Sequence, residues 1–297
     1  MADLHELIEE PALDGPVLIL ALEGWIDAGM GASNSMSAVT AGVNAETVAT
    51  FDPDRLIDHR ARRPVVHLVN GLITGLDWPS IELRAGSDVS GNDVLLLVGA
   101  EPDFEWHGFT EAVVDLAQSY GSRMAVSLGA YPAPVPHTRD ASLAVTTSSP
   151  DLSDQLRGYV RGTLDVPGGI HSVLDVALND VGVPSLGLWA QVPHYVSGMP
   201  YPAAALTLLN GLHEIAGLTI PTGQLPSDAK ATRIRLDELV AQNSQHQAMV
   251  TQLEEMADQG LGGPESEVPI FGFDRIPSGD ELAAELQEFL RQHPDES

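Results

Sequence analysis

The stretch Val17-Leu-Ile-Leu-Ala-Leu-Glu-Gly-Trp-Ile-Asp-Ala-Gly-Met-Gly-Ala-Ser33 constrains this chain more than any other: an unbroken apolar run gives way to glycines and then to a helix of small residues. A strand that is apolar at every position, instead of every second one, belongs in a sheet covered on both faces. The segment therefore reads as a buried parallel strand, a tight turn and a helix lying close to the sheet. Glu23, Gly24 and Asp27 then fall at the carboxyl end of that strand, where open α/β sheets form their crevices.

The pattern returns along the chain. Asp93-Val-Leu-Leu-Leu-Val-Gly99 leads past Glu101 into a helix over about 107–120, and 124–128 is a third buried strand ending in Gly129. Further strands are read at 47–51, 55–59, 65–69 and 81–84, with a turn region at Gly71, Gly75 and Pro79. Pro132, Pro134 and Pro136 hold an extended loop, after which 144–147 returns to a strand. Gly168-Gly169 opens a helix over 170–181, Pro184 begins a strand over 185–190, and 202–216 is a helix rich in Ala and Leu. Such alternation predicts an α/β core with right-handed crossovers, placed at residues 1–220.

Composition changes near 219–223, and 221–297 is expected to form a helical extension. A long polar helix over about 228–258 carries a heptad of Leu236, Leu239, Asn243, His246, Val250, Leu253 and Ala257. A seam of that length is marginal alone, so it docks on its own core or on another subunit. A linker over 259–277 precedes a short helix over 280–292, whose capping box Ser278-Gly-Asp-Glu281 leads into an apolar face containing Leu286 and Phe289.

Charge removes several function classes. The 42 acidic residues against 14 basic ones give a net charge of −28, with Lys230 the only lysine. Nucleic-acid and anionic-membrane partners need clustered Lys and Arg, which this chain lacks. No run reaches the ~18 to 20 apolar residues of a membrane helix, and the amino end carries acids where a signal region would be basic, which predicts a soluble, cytoplasmic protein. The absence of cysteine excludes disulfides, thiolate zinc sites, iron-sulfur clusters and a cysteine nucleophile. Lysine poverty argues against a P-loop, a Schiff base and an ATP-dependent carboxylate ligase.

Two similar phrases, Pro134-Val-Pro-His137-Thr-Arg139 and Gln191-Val-Pro-His194-Tyr195, each follow a buried strand. They place His137 and His194 in one crevice with Glu23, Gly24, Trp25, Asp27 and Glu101. Three uses stand open: a divalent metal, for which no fixed His spacing speaks; acid and base in hydrolysis or phosphorolysis with phosphate held by the glycine turn; or histidines that satisfy backbone carbonyls and fix loop shape. No Gly-x-Ser-x-Gly elbow exists, and Gly29 and Gly31 lack the third glycine of a dinucleotide fingerprint, where Asn34 stands. Trp25, Trp78, Trp106 and Trp189 sit near turns or strand ends, where they line a cleft or close the mouth of a core. No cofactor and no metal is assigned.

Leu22-Glu-Gly-Trp-Ile-Asp-Ala-Gly29, Phe51-Asp-Pro-Asp54, Arg62-Arg-Pro64, Asp77-Trp-Pro79, Gly99-Ala-Glu-Pro102, Val135-Pro-His-Thr-Arg139, Trp189-Ala-Gln-Val-Pro-His-Tyr-Val196 and Pro277-Ser-Gly-Asp280 form an ordered set of phrases. Taken together they resemble the proteasome assembly chaperone 2 family in its actinobacterial form. The resemblance implies a three-layer α/β/α core with a mostly parallel sheet, similar to the nucleoside phosphorylase fold, and assembly with like or related subunits. It implies no established reaction and transfers no catalytic residue. Chaperones of this type that dock on proteasome α-rings commonly end in a hydrophobic-Tyr-any tripeptide, whereas this sequence ends Pro294-Asp-Glu-Ser297, so no docking residue carries over.

The sequence therefore leads to a non-enzymatic, cytoplasmic, homo-oligomeric assembly or scaffold protein with a protein client, with no nucleic-acid or membrane partner. Leu236, Leu239, Val250, Leu253, Leu286 and Phe289 are its expected docking face. The alternative is a nucleoside phosphorylase- or hydrolase-like enzyme, or a small-ligand binder, that uses the crevice.

Overall fold

The computed structural model describes residues 4–24, 26–156, 159, 163 and 165–259. Trp25, Leu286 and Phe289, the short helix expected over 280–292 and all but the first residue of the expected linker lie outside these residues.

In chain order the strands are β1 (His5–Leu7), β2 (Val17–Glu23), β3 (Glu46–Phe51), β4 (Val65–Val69), β5 (Leu72–Asp77), β6 (Ile81–Ser87), β7 (Asp93–Ala100), β8 (Met124–Ala133), β9 (Leu143–Thr146) and β10 (Ser185–Pro193). The helices are α1 (Gly31–Val43), α2 (Pro53–Leu56), α3 (Trp106–Ser119), α4 (Pro150–Gln155), α5 (Ile170–Asp180), α6 (Pro202–Ala216), α7 (Leu225–Ala241) and α8 (Ser244–Asp258). Eight strands form one sheet in the order β1-β3-β6-β7-β2-β8-β10-β9. The central strands β7, β2, β8 and β10 are mutually parallel, and β6 and β9 close them off antiparallel on either side.

The every-residue apolar pattern of β2 is spent on two cores. Val17 and Ile19 point into the cluster built with α1 and α6, while Leu18, Leu20 and Leu22 point into the one built with α3 and α5. Helices thus cover the sheet on both faces in three layers. No helix among the described residues is long and apolar enough to cross a membrane.

Three local expectations are corrected. The segment 55–59, read as a strand, instead begins inside a short helix: Asp52 accepts the Asp54 N–H at 3.0 Å and Pro53 sits in the first turn, so α2 takes Arg55 and Leu56. The turn region at Gly71 to Pro79 contains β5, which pairs with β4 as a separate hairpin. The single helix over 228–258 is two helices, because Asn243 turns extended and its side chain accepts from the N–H groups of Gln245 and His246. Arg233 and Glu254, roughly equidistant from that break, both reach Thr138, so α8 folds back along α7. Asn243 is a helix cap, not a heptad position, and Leu239 of the expected docking face is half exposed. Leu236 joins the α1/α6 core, and Val250 and Leu253 are buried.

Candidate functional site

A cleft of about 640 Å³ opens at the carboxyl ends of β2, β7 and β8, between the sheet and α1. Glu23, Gly24 and Asp27 line it, with Ser33, Ser37 and Thr40 of α1, Glu82 and Arg84 of β6, Trp189 of β10 and His171 of α5. The first three were singled out from sequence. His171 was not, and its only signal was its place two residues beyond the Gly168-Gly169 helix opening.

The polar groups of this cleft are largely committed within the fold. Asp27 accepts the N–H groups of Ala32 at 2.7 Å and Ser33 at 3.0 Å, and the Ser33 hydroxyl as well. Its carboxylate therefore occupies the amino end of α1, the place a phosphate would take in a phosphorolytic site. Gly29 and Gly31, which come near a nucleotide fingerprint, serve packing instead. Gly29 has φ +62°, and a Cβ there would lie 2.7 Å from Cβ of Tyr201; one on Gly31 would lie 2.8 Å from Ala130 Cβ and 3.0 Å from Ala204 Cβ.

Glu82 is pushed up by burial, but hydrogen bonds from Thr47, Arg84 and Ser80 outweigh this and hold it below the ordinary carboxylate range. His171 is buried, and its Nε2 accepts the Leu22 N–H at 3.0 Å. Burial lowers its pKa to about 4, so the ring is neutral with its proton on Nδ1.

Glu101 sits just beside the cleft. Its N–H donates to the Glu23 carbonyl at 2.7 Å, and its carboxylate accepts the Ile170 N–H at 2.7 Å, capping α5. Arg62 donates to the Glu101 carbonyl and pairs with Asp103 at 3.2 Å. A Cβ on Gly24 would collide with Arg62 and Glu101.

His137 and His194 do not line this cleft. The two Val-Pro-His phrases do meet, but on Tyr195. The Tyr195 hydroxyl accepts the His137 N–H at 2.8 Å and lies 2.6 Å from His137 Nδ1. Burial raises Tyr195 to about 12, so it keeps its proton and donates it to Nδ1. His137 Nε2 then donates to Asp237 of α7 at 3.2 Å. Burial lowers the His137 pKa and Asp237 only partly offsets it, which agrees with a neutral ring. His194 opens a 3-10 turn, exposed, with its ring edge-on to Tyr195 at 5.3 Å. Next to His137, Thr138 donates to Glu254 at 2.5 Å and Arg139 pairs with Glu254 and Asp258. This second cluster fastens α7 and α8 to the loop after β8. Among the described residues no group of three or more His, Asp or Glu side chains is placed to hold a metal ion.

The model of the PAC2 family matches residues 21–240. A protein of unknown function from Corynebacterium glutamicum is 35% identical, with 87% of this chain and 98% of that one covered and a TM-score of 0.80. A PAC2 family protein from Streptomyces avermitilis is 34% identical over 79% of this chain and 99% of its own, with a TM-score of 0.71. A proteasome-assembly chaperone homologue from Mycobacterium tuberculosis is 29% identical over 79% and 99%, with a TM-score of 0.72. No curated protein matches the chain.

Proposed function

This chain belongs to the PAC2 family, and we propose that it works there as a non-enzymatic, cytoplasmic, self-associating assembly or scaffold protein that binds a protein client. One observation carries the reading. The side chains best suited to chemistry are bound into the fold: Asp27 on the amino end of α1, His171 on Leu22, Glu101 on Ile170 and His137 between Tyr195 and Asp237. With these four candidates holding structural partners, and only Glu23 of the acids and bases singled out from sequence turned to the cleft without one, the site offers surface and shape more than paired proton transfer. The Mycobacterium tuberculosis relative described as a proteasome-assembly chaperone homologue supports a proteasome subunit as client.

The test mixes the purified full chain with unassembled proteasome α-type subunits from the same source and follows the mixture by native mass spectrometry. A stoichiometric complex that disappears as rings close is the expected result. Absence of any complex, or release of a free base from a nucleoside by the chain alone, overturns the proposal.

A second reading, binding of a small ligand, is favoured by the volume of the cleft, which at about 640 Å³ lies within the range of small-molecule sites. Phosphorolysis is the least favoured form of it, since Asp27 fills the anion position. A ligand that raises the melting temperature of the parent but not of Glu23→Gln would locate that ligand in the cleft.

A further inference from the structure

The cleft at the carboxyl ends of β2, β7 and β8 contains one acid that the fold leaves unanswered. The charged side chains lining it are Glu23, Asp27, Glu82 and Arg84. Asp27 is taken by the amino end of α1, and Arg84 is spent on Glu82 through Nε and Nη2, each at 3.0 Å. Arg62, which flanks Gly24, is spent on Asp103 and on the Glu101 carbonyl. The Glu23 carboxylate, exposed at the cleft, has no hydrogen-bond or ion-pair partner among the described residues.

Two serines of the same cleft add acceptors. Ser33 gives its hydroxyl proton to Asp27, and Ser37 gives its own to the Ser33 carbonyl at 2.8 Å. Each hydroxyl oxygen then has only lone pairs left for a further partner. A free carboxylate and two acceptor oxygens suit a group with positive charge and several N–H donors. A phosphate or carboxylate ligand would instead meet Glu23 and the field of a chain at −28.

His171 points to a ligand independently. It is 9% exposed, it lines the cleft, and its Nε2 is taken by the Leu22 N–H, which leaves Nδ1–H without a partner among the described residues. A buried donor in that state costs free energy until something accepts from it. Burial keeps the ring neutral down to about pH 4, so it can donate to an oxygen without repelling a cation nearby. Met36, Val98 and Leu128 give the cleft an apolar lining, and the half-buried Trp189 completes it. The indole N–H donates to Thr146 at 3.0 Å, and its six-membered ring lies where a Cβ on Gly129 would collide with it. An indole fixed in this way is an apolar platform that also attracts cations.

The structure assigns to this cleft a small organic amine, bound as its ammonium by Glu23, with an apolar or ring-shaped body on the Trp189 side and an oxygen that accepts from His171 Nδ1–H. The inference goes beyond the assembly role. It rests on the small-ligand reading of the cleft and gives that ligand its charge and class.

Calorimetric titration of the full chain in amine-free buffer tests it with two matched series. In one, L-phenylalaninamide, N-acetyl-L-phenylalaninamide and 3-phenyllactate share a body and differ in charge; in the other, glucosamine, N-acetylglucosamine and gluconate do. In at least one series the ammonium member binds, and its acetylated and anionic counterparts bind roughly tenfold more weakly or not at all. Glu23→Gln, which keeps the shape of the side chain, weakens the ammonium member by roughly the same tenfold factor. Glu111→Gln, an exposed acid of α3 on the opposite face of the sheet, leaves it unchanged and so separates site binding from general attraction to an acidic protein. Ser37→Trp, which fills the cleft from an exposed position of α1, removes binding. An ammonium probe that binds the parent and Glu23→Gln alike overturns the proposal. A neutral or anionic probe that binds best and is lost only in Ser37→Trp overturns the amine and keeps the small-ligand reading. Absence of binding by every probe at millimolar concentration overturns both.

Discussion

The imidazole of His171 takes the backbone N–H of Leu22 at 3.0 Å, across 149 residues of sequence, and so ties the first turn of α5 to the end of β2. One helical turn further on, Asp175 accepts the Ser148 N–H at 3.0 Å. Burial acts on the two groups in opposite senses, lowering His171 to about 4 and raising Asp175 to about 6.

These two groups should oppose each other in the pH dependence of stability. Between pH 6.5 and about 4 the unfolded chain takes a proton on His171 that the folded chain refuses. Acidification through that window therefore costs about 3 kcal/mol. Between about 6 and 3.8 the folded chain holds a proton on Asp175 that the unfolded chain releases. Acidification there returns a smaller amount, about 2 kcal/mol, since Asp175 is less fully enclosed. Asp175→Asn should lose stability more steeply than the parent as pH falls from 6.5 to 4, and His171→Gln less steeply. Urea titrations at several pH values read the differences, and two variants that track the parent would remove the assignment.

Asp27 should matter as a helix cap. Asp27→Ala is expected to lower stability by about 1 to 2 kcal/mol, and Asp27→Asn by less, because the amide oxygen still accepts one of the two N–H groups, of Ala32 and Ser33, that the two carboxylate oxygens accept separately. The urea midpoint should shift while its slope stays constant. Equal effects from the two variants would mean that charge, not acceptance, is what the amino end of α1 requires.

At Gly31 two effects compete with opposite signs. Alanine is a better helix former than glycine by about 1 kcal/mol, which favours Gly31→Ala. The new methyl group would stand 2.8 Å from Ala130 Cβ and 3.0 Å from Ala204 Cβ, with backbone fixed behind both. Overpacking of that kind costs about 1 to 3 kcal/mol, so the variant should be less stable than the parent. Adding Ala204→Gly should restore part of the loss; a stabilised single variant would show that α1 and α6 have room to separate.

The parts of this fold that sequence made legible are those whose residues answer to burial alone. Residues 17–22 of β2 and 94–98 of β7 are apolar at every position because both faces of these strands are covered, and the central parallel strands follow from that. The parts decided by a single polar contact were hidden. Asp52 turns an apparent strand into α2, and Asn243, which fits a heptad position, caps α8 and bends the chain back. The Asn70-Gly71 turn was written in the sequence, but β5 beside it lacks the burial that marks the other strands. The grouping of seven residues in one crevice separated because Tyr195, rather than Glu23, is what the two Val-Pro-His phrases share. His171 could not be found locally, since its partner is a backbone amide on a distant strand.

The α7–α8 hairpin should open independently of the sheet. Leu236 is part of the α1/α6 core, whereas Leu253 is buried but belongs to none of the hydrophobic clusters that line the sheet. Leu236→Ala should therefore lower global stability by the roughly 2 to 5 kcal/mol typical of a core leucine, read as a lower urea midpoint. Leu253→Ala should leave that midpoint nearly unchanged and speed amide hydrogen exchange across α8, since a peripheral unit can open without the rest. Arg139→Ala, which removes exposed ion pairs to Glu254 and Asp258, should speed the same exchange much less. If Leu253→Ala moves the global midpoint as far as Leu236→Ala does, the helical hairpin and the sheet unfold as one cooperative unit, and the sheet then depends on α8 for its stability.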